Sequence, residues 1–351
     1  MGRYIARRLI YLVAVLLVVS IITFGLMHAV PGGPFDREKP LPVEILKNLN
    51  EAYHLDDPLW KQYARYVYDV GIPHITTKAP TNSLLDDFIV SFKAGPVWIR
   101  WMNFGPSYAS RSRTVNDIFR DQLPVSGQLG TMALIVALII GMPLGIISAL
   151  KQNTIFDYLG MSVAIFGVSV PVIVLGPLLI WIFGVTLKWL PPTGWGAQPP
   201  YFLSFLPTKL DWNFFKTAIM PAFALGLGSS AVIARLTRAS LLQTIHEDYI
   251  RTARAKGLQE RLIITRHALK NSLIPVVTIL GPLFAALVTG TFVTELIFGI
   301  PGMGKYFVTS ITNRDYPVIM GTILLYAVFL VIMNLIVDIT YAYLDPRIRY
   351  D

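Results

Sequence analysis

Six apolar runs, each of about 20 residues or more, constrain what this 351-residue sequence can fold into more than any other feature. They lie at Leu9–Ala29, Gln128–Leu150, Leu159–Leu187, Ala218–Leu236, Leu273–Ile297 and Val318–Tyr341. A helix of that length crosses a hydrocarbon core roughly 30 Å thick. Lipid offers the backbone no hydrogen-bond partner, so an isolated spanning run must satisfy its own N–H and C=O groups as a helix. A membrane barrel would need short alternating segments, and the sequence has none. Composition agrees: 54% of residues are hydrophobic and 15% charged, against roughly 45–50% and 25% in soluble domains. The expected class is therefore an all-α integral membrane protein with six transmembrane helices. The third run holds Pro171 and Pro177, which predict a kink or break within it.

Orientation follows from the basic residues that flank the runs. Arg3, Arg7 and Arg8 precede the first, which predicts a cytoplasmic N-terminus, and six crossings return the C-terminus to the same side. Between the fourth and fifth runs, Arg238, Arg251, Arg254, Lys256, Arg261, Arg266 and Lys270 mark another cytoplasmic segment. The first run exceeds the 7–15 apolar residues of a signal peptide and lacks a small-x-small site after it, so it is read as a retained span. The expected organisation is a cytoplasmic N-terminus and first span at 1–30 and an external region at 31–127. A five-helix core follows at 128–345, with a cytoplasmic loop at 237–272, and then a cytoplasmic tail at 346–351. In the external region, Ile45, Leu46, Leu49 and Tyr53 recur at helical spacing and predict short helices. The segment 188–202, rich in Pro, Gly and Trp, reads as an interfacial loop.

The formal charge of +9 invites a nucleic-acid reading, but the clustered cations sit where orientation signals sit, so no nucleic-acid partner is expected. There are no cysteines, and the five histidines are scattered without a close pair, so no metal site is expected. Gly299, Gly304 and Lys305 have the spacing of a phosphate-binding loop. Tyr306 stands where that loop needs Ser or Thr, and the stretch follows an apolar run on the side away from the cytoplasm. It is read as a decoy. Glu295 and Asp338 are acids within spans, where ionisable groups signal function by default. Glu295 reads either as lining an external gate, with Pro301, Gly302 and Gly304 making the turn beside it, or as an interfacial acid paired with a neighbouring helix. Asp338 reads as a helix–helix contact.

The segment "HEDYIRTARAKGLQERLIITRHALKNSLIP" at 246–275 is the most informative. Glu247 and Asp248 suit a helix N-terminus and Gly257 a helix stop, giving a short helix, a glycine elbow and a second helix from Gln259–Glu260. Physically, this is either a helix that docks in a partner's groove or a basic loop held near anionic lipid. The stretch resembles the coupling loop of ABC-importer permeases, whose pattern is E-A-A-x-x-x-G. Arg251, Thr252, Ala253 and Gly257 occupy the matching positions, with Leu269 downstream where the family usually has Leu. Arg251 replaces the usual Glu, and Lys270 stands where many members have Pro. "YHLDDPLWKQY", "PVSGQLG", "NRDY" and "NLIVDITYAYLDPRIRY", in that order, resemble the B-type permease subunit of bacterial oligopeptide importers, while 71–102 and 196–212 look like added length.

That resemblance implies a type I importer core in the bacterial inner membrane and a chain without catalytic residues. The implied partners are a homologous second permease, two ABC ATPase subunits that bind ATP and magnesium, an external peptide-binding protein and membrane lipid. The ATPase-coupling residues would be Asp248, Tyr249, Arg251, Thr252, Ala253, Arg254, Ala255, Lys256 and Gly257, with Ala253 and Gly257 setting docking depth and Arg251 and Arg254 touching the ATPase. Dipeptides, nickel chelates or short oligosaccharides are alternative cargoes. A secondary transporter is the alternative class, although no charge relay or inverted repeat supports it.

Overall fold

A computed structural model describes residues 2–35, 42–81, 83–110, 112–199, 201, 205–289 and 291–344. The predicted C-terminal tail at 346–351 lies outside these. Fourteen α-helices, two π-helical stretches and three strands are present among the described residues. The first span is α1 (Gly2–Ala29), followed by the short helices α2 (Val43–Ala52) and α3 (Leu59–Gly71). Strands β1 (His74–Thr76), β2 (Val90–Ala94) and β3 (Val97–Trp101) then form an antiparallel sheet in the order β1-β3-β2. This sheet occupies the segment that looked like added length and had no predicted structure.

The second span, α4 (Val115–Leu150), begins 13 residues before its predicted start at Gln128. Thr114 explains the early start: its Oγ1 accepts from the Asp117 N–H, and its own N–H donates to the Asp117 carboxylate, a reciprocal cap. The expected boundary at 127/128 thus falls inside one continuous helix. At 36 residues α4 is about 54 Å long, well beyond the hydrocarbon thickness. The third run breaks as its prolines predicted, into α5 (Ile155–Ser169) and α6 (Val172–Leu179), which continues as a π-helical stretch over Ile180–Thr186. The two arms bend by 100°, with Val170 extended because Pro171 disfavours helical geometry in the residue before it. The fourth span, α7 (Trp212–Thr244), starts at an Asp211 cap that accepts from the Phe214 N–H. The next segment comprises α8 (Asp248–Ala255), α9 (Glu260–Leu262), a π-helical stretch over Ile263–Ala268 and α10 (Leu269–Ser272). The fifth run becomes α11 (Ile274–Thr289) and α12 (Phe292–Phe298), and after α13 (Gly304–Thr312) comes the last span, α14 (Tyr316–Leu344).

Contacts divide the chain into two units whose limits fall inside helices. The first combines residues 1–10, 124–304 and 329–351. Its centre is α7, 61% of whose apolar window is buried, against 11% for α1. Phe214, Ala218, Ala224 and Leu227 of α7 pack with Leu129, Leu175 and Phe298. At the end of this unit Arg238 forks onto buried Asp157, with Nε and Nη2 at 2.8 and 2.7 Å from the two carboxylate oxygens. Arg8 pairs with Asp338 at 2.5 Å, so the acid in the sixth run makes the helix–helix contact expected of it. Trp195, read as part of an interfacial loop, is instead a core residue: it packs edge-on against Phe214 and donates to Gln128 at 3.0 Å.

The second unit combines residues 11–123 and 305–328. Its organising group is Asp315, a buried carboxylate that accepts from Ser107 Oγ and from the N–H groups of Tyr108 (3.0 Å) and Ala109 (3.2 Å). Arg100 on β3 is also buried, donating to Asp86 and to the Lys78 carbonyl at 2.7 Å.

Candidate functional site

The residues singled out from sequence fall into two places, both in the first unit. In the segment after α7, Ile250 and Ala253 turn inward and pack against Leu241, Ile263 and Ala268. This spacing of three residues puts them on one side of α8. The remaining side faces solvent, with Asp248, Tyr249, Arg251, Thr252, Arg254, Ala255 and Lys256 all exposed. Ala253, only 8% exposed, therefore cannot set docking depth as the sequence suggested. The small outward residues are Thr252 and Ala255. Sequence motif alone missed this, although the period of α8 contained the signal: Ile250 and Ala253 are its inward positions.

Several bonds hold α8 rigidly against the following helix. Tyr249 Oη accepts from Asn271 Nδ2 at 2.9 Å. Arg254 grips Glu260 through Nη2 (2.7 Å) and Nε (3.2 Å) across the elbow. Those hydrogen bonds raise the Arg254 guanidinium above its ordinary value and hold the Glu260 carboxyl below the usual carboxylate range. Arg254, expected to reach a partner, is thus engaged within its own chain. Arg251 sits 3.6 Å from Asp248 with both side chains mostly exposed, a pairing that water largely screens. Gly257 ends the helix at φ +75°, a left-handed conformation that suits glycine, and a Cβ there would meet nothing within 4 Å.

The second place is the turn after α12. Glu295 is 2% exposed, and its carboxylate accepts from Ser126 Oγ (2.5 Å), from Thr291 Oγ1 and from the Gly304 N–H (2.8 Å). Ser126 in turn accepts from the Met303 N–H at 2.7 Å. A Cβ on Gly302 would lie 2.1 Å from Glu295 Oε1, and one on Gly304 would lie 2.5 Å from the Phe292 nitrogen. Glu295 therefore does not line an open gate within this chain. It is the buried acid that clamps the turn, and of the four predicted gate residues only Pro301 is exposed.

The same geometry disposes of the phosphate-loop spacing. A helix, not a strand, precedes the glycines, and the Met303 and Gly304 N–H groups are already bound to Ser126 and Glu295. The carboxylate sits where an anion would have to enter. Among the described residues no group of three or more His, Cys, Asp or Glu side chains is placed to hold a metal.

Two family models match the chain. Residues 1–130 match the N-terminal part of a binding-protein-dependent transport system membrane component, and residues 141–350 match the inner membrane component itself. The chain belongs to this family of binding-protein-dependent permeases. It is 43% identical over 349 residues to the dipeptide transport system permease protein DppB of Bacillus subtilis, covering 99% of this chain and 98% of that one. It is 39% identical over 350 residues to the oligopeptide transport system permease protein OppB of Salmonella typhimurium, covering all of both. A chain from inward-facing crystal forms of the MetNI methionine ABC transporter matches 64% of this permease and 94% of itself, at 18% identity and a TM-score of 0.48. Membership makes this chain a multi-pass inner-membrane permease, a non-catalytic subunit whose partners include a binding protein and ATPase subunits, with ATP bound by the latter.

Proposed function

We propose that this permease forms half of the translocation path of an oligopeptide importer, beside a homologous second permease, with both termini in the cytoplasm. Its named relatives carry dipeptides or oligopeptides, which supports peptide cargo. The basic segment between α7 and α11 supports a cytoplasmic location for α8. By that topology the turn clamped by Glu295 faces outward, on the side from which the binding protein approaches.

The observation that carries the coupling role is the outward face of α8. It is an eight-residue helix braced on one side by Ile250 and Ala253, and on its exposed side the small residues Thr252 and Ala255 lie between Arg251 and Lys256. A braced helix with a small-residue face fits a groove and transmits force without bending. ATP-driven closure of the ATPase pair then moves α8, and the bundle rocks as a rigid body between its two access states.

The test is Ala255→Trp in the reconstituted transporter. The exposed position accepts the ring without disturbing this chain, so assembly of the permease pair and its thermal stability stay as in the parent. Peptide uptake falls to background while the ATPase subunits either dissociate or hydrolyse ATP without transport. Uptake at the parental rate would remove α8 from the coupling pathway. Competition between dipeptides and pentapeptides for uptake decides cargo length: inhibition by dipeptides alone would replace the oligopeptide assignment with a dipeptide one.

A further inference from the structure

The sheet in the second unit is inside out. On an ordinary antiparallel sheet with one covered face, the apolar residues turn inward and the polar ones face water. Here Ile75, Ile99 and Phe92 stand side by side in register across β1, β3 and β2, and Trp101 pairs with Val90 in the same facing set. The outer members of this set point away from the chain, Ile75 at 70% exposed and Phe92 at 51%, with Ile99 between them half-buried. The opposite set is His74, Thr76, Ser91, Lys93 and Arg100, with Trp98 as its one large apolar member, and it is partly covered by this chain. Arg100, which belongs to it, is buried on Asp86, and His74 stacks against Tyr68 and Phe88. Exposed apolar faces of this kind mark an interaction surface.

Helix α3 indicates what covers it. Tyr63 shares a 2.8 Å hydrogen bond with Ser20 of α1, and its ring lies 5.3 Å from Phe24. Ser20 is nine residues inside the end of α1 at Ala29, a depth of about 13 Å along the helix. The contact is therefore made inside the apolar span of α1, Ala6–Ala29, and not beyond its end. The outward strip of α3 is Trp60, Ala64 and Tyr68, at helical spacing and without a charge; Trp60 is 73% exposed, and Tyr68 is half-exposed with part of its ring against His74. Lys61 and Arg65 border the strip and are anchored to Asp57 at 2.9 and 3.2 Å. Trp and Tyr on an apolar strip, flanked by cations with long stems, are the composition of a membrane-interface helix. Tyr63, on the neighbouring side of α3, ties the helix to α1, whose apolar span is only 11% buried within the chain.

We propose that residues 59–101 are seated on the lipid bilayer, in the leaflet where α1 ends at Ala29, with the Trp60–Ala64–Tyr68 strip and the Ile75–Ile99–Phe92 row in contact with lipid. Lipid at this position explains both features at once. A soluble partner covering the sheet would leave the depth of α3 unexplained. The bilayer holds α3 and the sheet beside α1, and the apolar row costs nothing in solubility because water does not reach it.

The chain contains no cysteine, so single labels are readily placed. Tyr68→Cys, Phe92→Cys and Lys93→Cys would each be nitroxide-labelled before assembly of the full transporter in phospholipid nanodiscs, with co-purified ATPase subunits reporting assembly. Collision with oxygen, which concentrates in lipid, is compared with collision with a water-soluble nickel chelate. Tyr68 and Phe92 labels should show a several-fold higher oxygen-to-nickel ratio than the Lys93 label on the opposite side of β2. Nickel access at either position equal to that at Lys93 overturns the proposal. Protection from both probes that disappears when the binding protein is withheld also overturns it, and assigns the surface to that protein. Ile75→Cys, on the neighbouring strand, replaces Phe92→Cys if that variant does not assemble.

Discussion

Two glycine turns in this permease look alike in sequence and differ in what they face. At Lys256–Gly257 the glycine is exposed, with open space around it, and the helix before it turns polar and small side chains outward. At Pro301–Gly304 the glycines are buried against Glu295, and the main-chain N–H groups of Met303 and Gly304 are satisfied within the chain. The first turn leaves a surface unused by its own fold, and the second engages the N–H groups of Gly302, Met303 and Gly304 within the chain. A site meant for a partner shows unspent surface, whereas a site meant for stability shows closure.

Thermal stability of the assembled complex sharpens that contrast, and the largest effect belongs to the buried turn. Gly304→Ala puts a Cβ 2.5 Å from the Phe292 backbone nitrogen, which no rotamer change relieves, and should cost about 4 kcal/mol. Retention of the parental melting temperature would show that the turn is not clamped. Glu295→Ala comes next, at about 3 kcal/mol, because Ser126, Thr291 and the Gly304 N–H lose their common acceptor. Glu295→Gln, which keeps an acceptor oxygen, should lose about 1 kcal/mol. If both variants lose the same amount, the hydrogen bonds are not what Glu295 supplies.

The exposed turn should give smaller numbers. Gly257→Ala meets no atom but must hold a left-handed backbone, a cost of about 1 kcal/mol. Glu260→Gln removes a half-exposed ion pair and should shift stability by well under 1 kcal/mol after allowance for solvent screening. Because the folded state holds the Glu260 carboxyl below its ordinary 4.5, the pair contributes fully above that value and fades as pH falls through the lower folded one. Amide exchange over residues 254–260, corrected for the intrinsic pH dependence of exchange, should give the same protection at pH 8 and pH 5. A rise in corrected exchange between those values would contradict the assignment. Ala255→Trp should change stability least of all while abolishing uptake, and a large loss of stability there would erase the difference between the two turns.

Much of this was legible along the chain. The apolar runs gave the spans because spanning is a one-dimensional property of consecutive residues, and Pro171 announced the break that follows Val170. Asp248 and Gly257 marked the limits of α8 because caps and stops are local chemistry. The facing of Ala253 was missed because a motif names positions without saying which side the rest of the fold covers. Glu295 was ambiguous for a related reason: its partner Ser126 lies 169 residues away, and nothing local joins them. The sheet at 74–101 went unpredicted because its strands are short and its alternation runs opposite to the usual sense, with apolar residues outward.

Sequence by itself therefore determined that the chain lives in a membrane, which runs cross it, and the limits of α8, while the start of α4 and the division of the fifth run into α11 and α12 escaped it. Tertiary structure alone decided which side of α8 is left for a partner, that Glu295 locks a turn instead of facing a passage, and that an apolar sheet face is left uncovered. The physical reason is one of range. Hydropathy, capping and proline geometry act over a few residues, whereas burial and hydrogen-bond closure depend on groups that only folding brings together.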